Sequence, residues 1–192
     1  IYPFYTLVEF ENDCERELDV ASVLYDKCIS SGYITEGVVS QNQRQAKNLW
    51  KFREGITESI ASYNPFKSDV SCRISRIPTF LQKLEKLLSG FSPYFETVIF
   101  GHLGDGNIHI NVLQPIEMDS QEFRLECKRV SKLIFELVQS SDGSISAEHG
   151  IGLTKKPYLS YSRPEAELNY MRGVKRLFDP KNIMNPGKLV DI

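Results

Sequence analysis

Histidine is scarce here. Three imidazoles occur in 192 residues, His102, His109 and His149, and all fall in two short stretches. Other absences narrow the field further. The four cysteines (Cys14, Cys28, Cys72, Cys127) are scattered without metal-ligand spacing, which reads as reduced, structural thiols in a cytoplasmic-type setting. Net charge is only −2, with no basic stripe, so nucleic acid is not expected as a partner. No apolar run approaches the length of a membrane span, and the N-terminus has no signal-peptide pattern. There is no initiator methionine; Ile1-Tyr-Pro-Phe opens abruptly, as a piece of a larger chain would. Low-complexity segments and linkers are missing too, and the isolated Met118, Met171 and Met184 read as packing residues.

What is present is ordinary globular material, 41% hydrophobic and 25% charged, long enough for a real core. Periodicity and turn residues predict a strand over Phe4–Phe10 and a helix capped by Asn12 or Asp13 that runs to about Ser30. A short strand over Glu36–Ser40 and a long helix from Gln41 to about Ser62 follow. Next come a strand over Lys67–Ser75, a helix from about Pro78 to Gly90, and two strands flanking a Gly-Asp-Gly turn. A helix over Ser120–Ser140, another from Pro164 to about Phe178 and a turn-rich tail complete the chain. The order predicts an α+β fold over residues 1–192: a largely antiparallel sheet with helices packed on one face, plus a C-terminal helical segment.

The first histidine stretch is Phe100-Gly-His-Leu-Gly-Asp-Gly-Asn-Ile-His-Ile-Asn-Val112. From Ile108 it alternates. Ile108, Ile110 and Val112 share one face; His109 and Asn111 share the other. The glycines allow a turn that returns His102 toward His109. Two neighbouring imidazoles suit a divalent metal, and Glu148 with His149, in Ser144-Ile-Ser-Ala-Glu-His-Gly-Ile-Gly152, would add a carboxylate and a third imidazole. Taken singly, Gly-Asp-Gly-Asn is an ordinary hairpin turn and a strand histidine is commonly structural. Taken together, the polar strand face is costly to bury unless it is paired or bound to something. Arg53 and Thr57 are four apart on the predicted helix, a spacing that suits carboxylate binding but equally a solvated helix face.

These motifs, with Ile183-Met-Asn-Pro-Gly-Lys188, resemble the C-terminal domain of FAD-linked oxidases, among the vanillyl-alcohol-oxidase-like flavoproteins, nearest the D-2-hydroxyglutarate, D-lactate and glycolate dehydrogenases. The resemblance implies that His102, His109 and Glu148 are ligands of a divalent metal, zinc foremost, with manganese or iron as alternatives. It implies that His149 is the catalytic base, and that Arg53, Thr57, Lys67 and Asn111 contact substrate. Asn185 would touch FAD, which is bound mainly by an N-terminal domain outside this chain. The implied reaction oxidises a small D-2-hydroxy acid to a 2-oxo acid and passes electrons through FAD to an acceptor. The implied location is cytoplasmic, with peripheral membrane association and a homodimer left open. Two other classes are a self-contained metal hydrolase or lyase, against which the absence of His-Glu-x-x-His speaks, and a non-catalytic binding module.

Overall fold

The computed structural model describes residues 4–9 and 15–192, leaving out the side chains of residues 15–19. The chain divides into two compact units, residues 1–59 and 60–192.

In the first unit, α1 (Glu15–Ser30) and α2 (Gln43–Glu54) are joined by an extended segment, and α3 (Ile56–Ser59) follows. Gly32, at φ +69°, lies just beyond α1. Asn42 caps α2, its side chain accepting from the Gln45 N–H at 3.0 Å, while Gln45 Oε1 accepts from the Gln41 N–H at 2.6 Å. The predicted single helix from Gln41 to Ser62 is thus three short pieces, α2, α3 and a 3-10 turn over Ala61–Tyr63. Gly55, a poor helix former, separates the first two.

Among the described residues, two predicted strands do not form. Residues 4–9 and 36–40 enter no ladder. Phe4, Tyr5, Val8, Val38 and Val39 supply β-favouring side chains, but all are exposed. A strand gains its stability from a paired neighbour, which local pattern cannot supply. Phe10 and the proposed caps Asn12 and Asp13 lie outside the described residues.

The second unit carries the sheet. β1 (Phe66–Ser71), β2 (Thr97–His102) and β3 (Asn107–Val112) are ordered β1-β3-β2, both pairings antiparallel. β1 and β2 are therefore parallel to each other, joined by α4 (Ile77–Phe91), with β3 inserted between them. β1 ends earlier than predicted. The Cys72 N–H donates to the Gly106 carbonyl at 3.1 Å, and Ser71 exchanges two 2.9 Å backbone bonds with Ser144. Gly106 is required: its φ is +77°, and a Cβ would stand 2.1 Å from the Cys72 carbonyl oxygen.

Val70, Ile108, Ile110 and Val112 form the apolar sheet face, against Phe80, Leu84 and Leu88 of α4 and Phe123, Cys127, Val130, Ile134 and Val138 of α5 (Ser120–Ser140). Each such side chain contributes roughly 1.5–3 kcal/mol by leaving water. Asp119 caps α5, accepting from the Gln121 and Glu122 N–H groups at 2.7 and 3.3 Å. A 3-10 segment over Lys156–Tyr161, which no periodicity marked, precedes α6 (Glu165–Phe178). Leu159, Leu168 and Val190 form a smaller core. The α+β class holds, with an antiparallel sheet of three strands.

Among the described residues no helix is long and apolar enough to cross a membrane. Cys28, Cys72 and Cys127 are free thiols. Burial pushes the Cys127 thiol up to about 12, helped by the Glu126 charge, and raises that of Cys72 as well. This fits structural roles for both. Cys14 lies outside the described residues.

Candidate active site

The site lies on the sheet face opposite the core. Because side chains alternate, the register puts Lys67, Asp69 and Ser71 of β1 beside Asn111, His109 and Asn107 of β3, which in turn pair with Val98, Phe100 and His102 of β2. Turn chemistry sets up this hairpin: Asp105 Oδ1 accepts from the Asn107 N–H at 2.9 Å.

The second histidine stretch reaches this face through the Ser71–Ser144 bridge on the free edge of β1. Asp69 then anchors it. Its carboxylate is 2% exposed, and Oδ2 accepts from three consecutive backbone N–H groups, those of Ala147, Glu148 and His149, at 3.0, 3.0 and 3.1 Å. Such a nest favours an anion. Lys155 pairs with Oδ1 and also donates to the Asp69 carbonyl at 3.0 Å. Burial alone would push the Asp69 carboxyl up. The Lys155 hydrogen bond, the Glu148 and His149 N–H groups and the Lys155 charge together outweigh it and hold the carboxyl well below the usual range.

Asp69 Oδ1 also lies 3.1 Å from His149 Nδ1. The other ring nitrogen, Nε2, lies 3.2 Å from Glu148 Oε1, which is 3.6 Å from His109 Nε2. Asn107 donates to Glu148 Oε2 at 3.1 Å. Ligand atoms of His109, Glu148 and His149 all fall within 4.8 Å of one another. These groups are lone-pair donors, and their convergence is favoured when a proton or a metal cation sits among them. Two imidazoles and a carboxylate make a donor set suited to a borderline divalent ion. Asn107 Oδ1, beside this cluster, is buried without a hydrogen-bond partner, a polar environment that also fits a cation-binding site. His109 is mostly buried, 14% exposed, while Glu148 and His149 are open at 52% and 59%, so the cluster is accessible. The Phe100 ring lies 5.0 Å from that of His109.

The structure brings His109, Glu148 and His149 together. His102 shares their sheet face, opposite Asn107, but lies outside the 4.8 Å cluster. Asn111 is buried on this face and donates to the Val98 carbonyl at 3.1 Å; Lys67, its register partner, is exposed. Arg53 lies in the last turn of α2 and Thr57 in α3, so the four-residue spacing spans a helix break in the first unit. Asn185 is in the exposed tail at φ +48°. That tail meets the segment after His149 where the Leu189 N–H donates to the Gly152 carbonyl at 3.1 Å.

Sequence reasoning missed Asp69, Asn107 and Lys155. Asp69 left a signal: it shares the alternating face of Lys67 in that strand. Asn107 was visible only as a turn residue, and Lys155 sits in a loop that carries no pattern.

The model for "FAD linked oxidases, C-terminal domain" matches residues 2–189. Over 187 residues, 97% of this chain, it is 48% identical to a D-2-hydroxyglutarate dehydrogenase of Stutzerimonas stutzeri, covering 40% of that protein. It is 47% identical over 191 residues, 100% of the chain, to a D-2-hydroxyglutarate dehydrogenase of Xanthomonas citri pv. viticola, again 40% of that protein. A mitochondrial D-2-hydroxyglutarate dehydrogenase of Bos taurus is 34% identical over 190 residues, 98% of the chain and 34% of the relative. The chain thus spans about two-fifths or less of the relatives it matches. With the motifs, the sheet face and these matches in agreement, the chain belongs to the FAD-linked oxidase C-terminal domain family.

Proposed function

We propose that this chain is the substrate- and metal-binding part of an FAD-dependent dehydrogenase that oxidises a D-2-hydroxy acid to a 2-oxo acid. D-2-hydroxyglutarate is the first substrate to test. The observation that carries this reading is the convergence of His109, Glu148 and His149 on one sheet face, within a chain of this family. An FAD-binding domain N-terminal to this region completes the enzyme. Exposed Tyr170, Val174, Leu177 and Phe178, one stripe of α6, support a covering partner domain. The enzyme passes its electrons to a separate acceptor and works in the cytoplasm.

In this reading His102, His109 and Glu148 hold the divalent ion, zinc foremost. The bound ion would acidify the substrate hydroxyl, and FAD would take up the Cα hydride. His149 accepts the hydroxyl proton at Nε2, the nitrogen turned away from Asp69. The substrate loses one proton and one hydride and leaves as the 2-oxo acid. Asn111 orients the substrate, Arg53, Thr57 and Lys67 hold its carboxylates, and Asn185 contacts FAD; these roles rest on the family motifs. The 4.8 Å cluster favours one variation, in which His149 rather than His102 completes the ion's ligands.

The test mixes the complete enzyme anaerobically with D-2-hydroxyglutarate, D-lactate, glycolate and D-malate while flavin absorbance is followed. Bleaching by one acid, abolished by chelation and restored by metal, is expected. A bound flavin that no acid bleaches contradicts the reading.

A further inference from the structure

Glu148 and His149 are adjacent in sequence and sit on an exposed loop, yet both are aimed at one point on a sheet strand. Something must hold the loop and also set the ring's orientation. The Asp69 carboxylate is placed for both tasks. Oδ2 gathers the 147–149 backbone and the Ser146 hydroxyl, the latter at 3.3 Å, so the loop closes around it. Oδ1 faces His149 Nδ1 at 3.1 Å. A carboxylate oxygen is acceptor-only, so at this separation it favours a protonated Nδ1 over a bare one, whose lone pair it would repel.

We infer that Asp69 is the positioning residue of His149, fixing the neutral ring as the Nδ1–H tautomer so that bare Nε2 faces the reaction cluster. The proposal rests on the functional reading above and adds to it the residue that sets the base's tautomer. Lys155 completes the device. Its ammonium pairs with Oδ1 and donates to the Asp69 carbonyl, which fixes the carboxylate against the ring. With Asp69 held there, its charge steadies the imidazolium once His149 has taken up the substrate proton. Asp69 acts through the close approach of its Oδ1 to Nδ1; no covalent bond forms or breaks at Asp69.

Two measurements on the complete enzyme test this. The first needs no substitution at Asp69: 15N shifts of the histidine rings, with the His149 signal assigned by its loss in His149→Gln. The account expects a protonated Nδ1 and a bare Nε2 in the neutral ring. A protonated Nε2 with bare Nδ1 overturns it. The second is Asp69→Asn, which keeps size but removes the charge and presents an amide donor to the ring. The expected result is a kcat lowered by about 10–100-fold, with KM within about twofold and metal content unchanged. Unchanged kcat in a folded Asp69→Asn enzyme also overturns the proposal. Failure of the unmodified enzyme to reduce its flavin with any hydroxy acid contradicts the functional reading instead; the tautomer of His149 then still decides the role of Asp69.

Discussion

Asn107 on β3 donates its side-chain amide to Glu148 Oε2 at 3.1 Å, across 41 positions of sequence. The bond fixes one carboxylate oxygen and leaves Oε1 turned toward His109 and His149. Asn107→Leu removes that orientation while keeping the side chain's bulk. Divalent-ion affinity of the complete enzyme should fall about 10–100-fold, measured by competition with a chromophoric chelator. Unchanged affinity would show that Glu148 needs no such support.

His102 and His149 make different predictions. With His102 as a ligand and His149 as the base, His102→Ala should lower ion occupancy at least about tenfold and His149→Ala should leave it intact. Metal analysis of the two purified variants decides the matter. Loss of metal from His149→Ala, with retention in His102→Ala, would place His149 among the ligands.

Gly106 joins the hairpin turn to β1. Gly106→Ala must hold a positive φ and displace the Cys72 carbonyl, which a Cβ would approach to 2.1 Å. A loss of about 1–3 kcal/mol or more is expected, visible as a lowered denaturant midpoint. An unchanged midpoint would contradict the turn geometry.

Asp179 organises the tail. Its carboxylate accepts from the Ile183 and Met184 N–H groups, both at 2.9 Å, and pairs with Lys175. The Lys175 hydrogen bond lowers its pKa, burial opposes this, and the two N–H groups lower it further. Since the folded value lies below the unfolded one, the stabilisation is fully present above the ordinary carboxylate range and is lost as pH falls through the lowered folded value. Asp179→Asn should therefore be less stable than the parent at neutral pH, and the gap should close in acid. Thermal melts across pH test it; a gap independent of pH would contradict it.

Much of the site was legible because its chemistry is local. Alternation from Ile108 separated His109 and Asn111 from the core, and the register confirms that division. Helices α4, α5 and α6 announced themselves by apolar stripes, a proline near one start and clean ends. The failures are non-local. Whether Val38-Val39 becomes a strand depends on a pairing edge, and Gly55 breaks a pattern that otherwise reads as continuous helix. Asp69 and Lys155 meet only because the chain turns back at Ser144, so their pairing across 86 positions has no local trace. The alternating strand put Asp69 on the polar face, but nothing local tied it to His149.

The most direct test of the central claim is the rate of flavin reduction by D-2-hydroxyglutarate in a single anaerobic turnover, compared between the complete enzyme and its His149→Ala variant at matched FAD and metal content. The account predicts fast bleaching in the parent and a rate about 10²–10⁴-fold lower in the variant, with FAD still bound. Equal rates would remove His149 from the chemistry and leave the cluster on this sheet face without its assigned role.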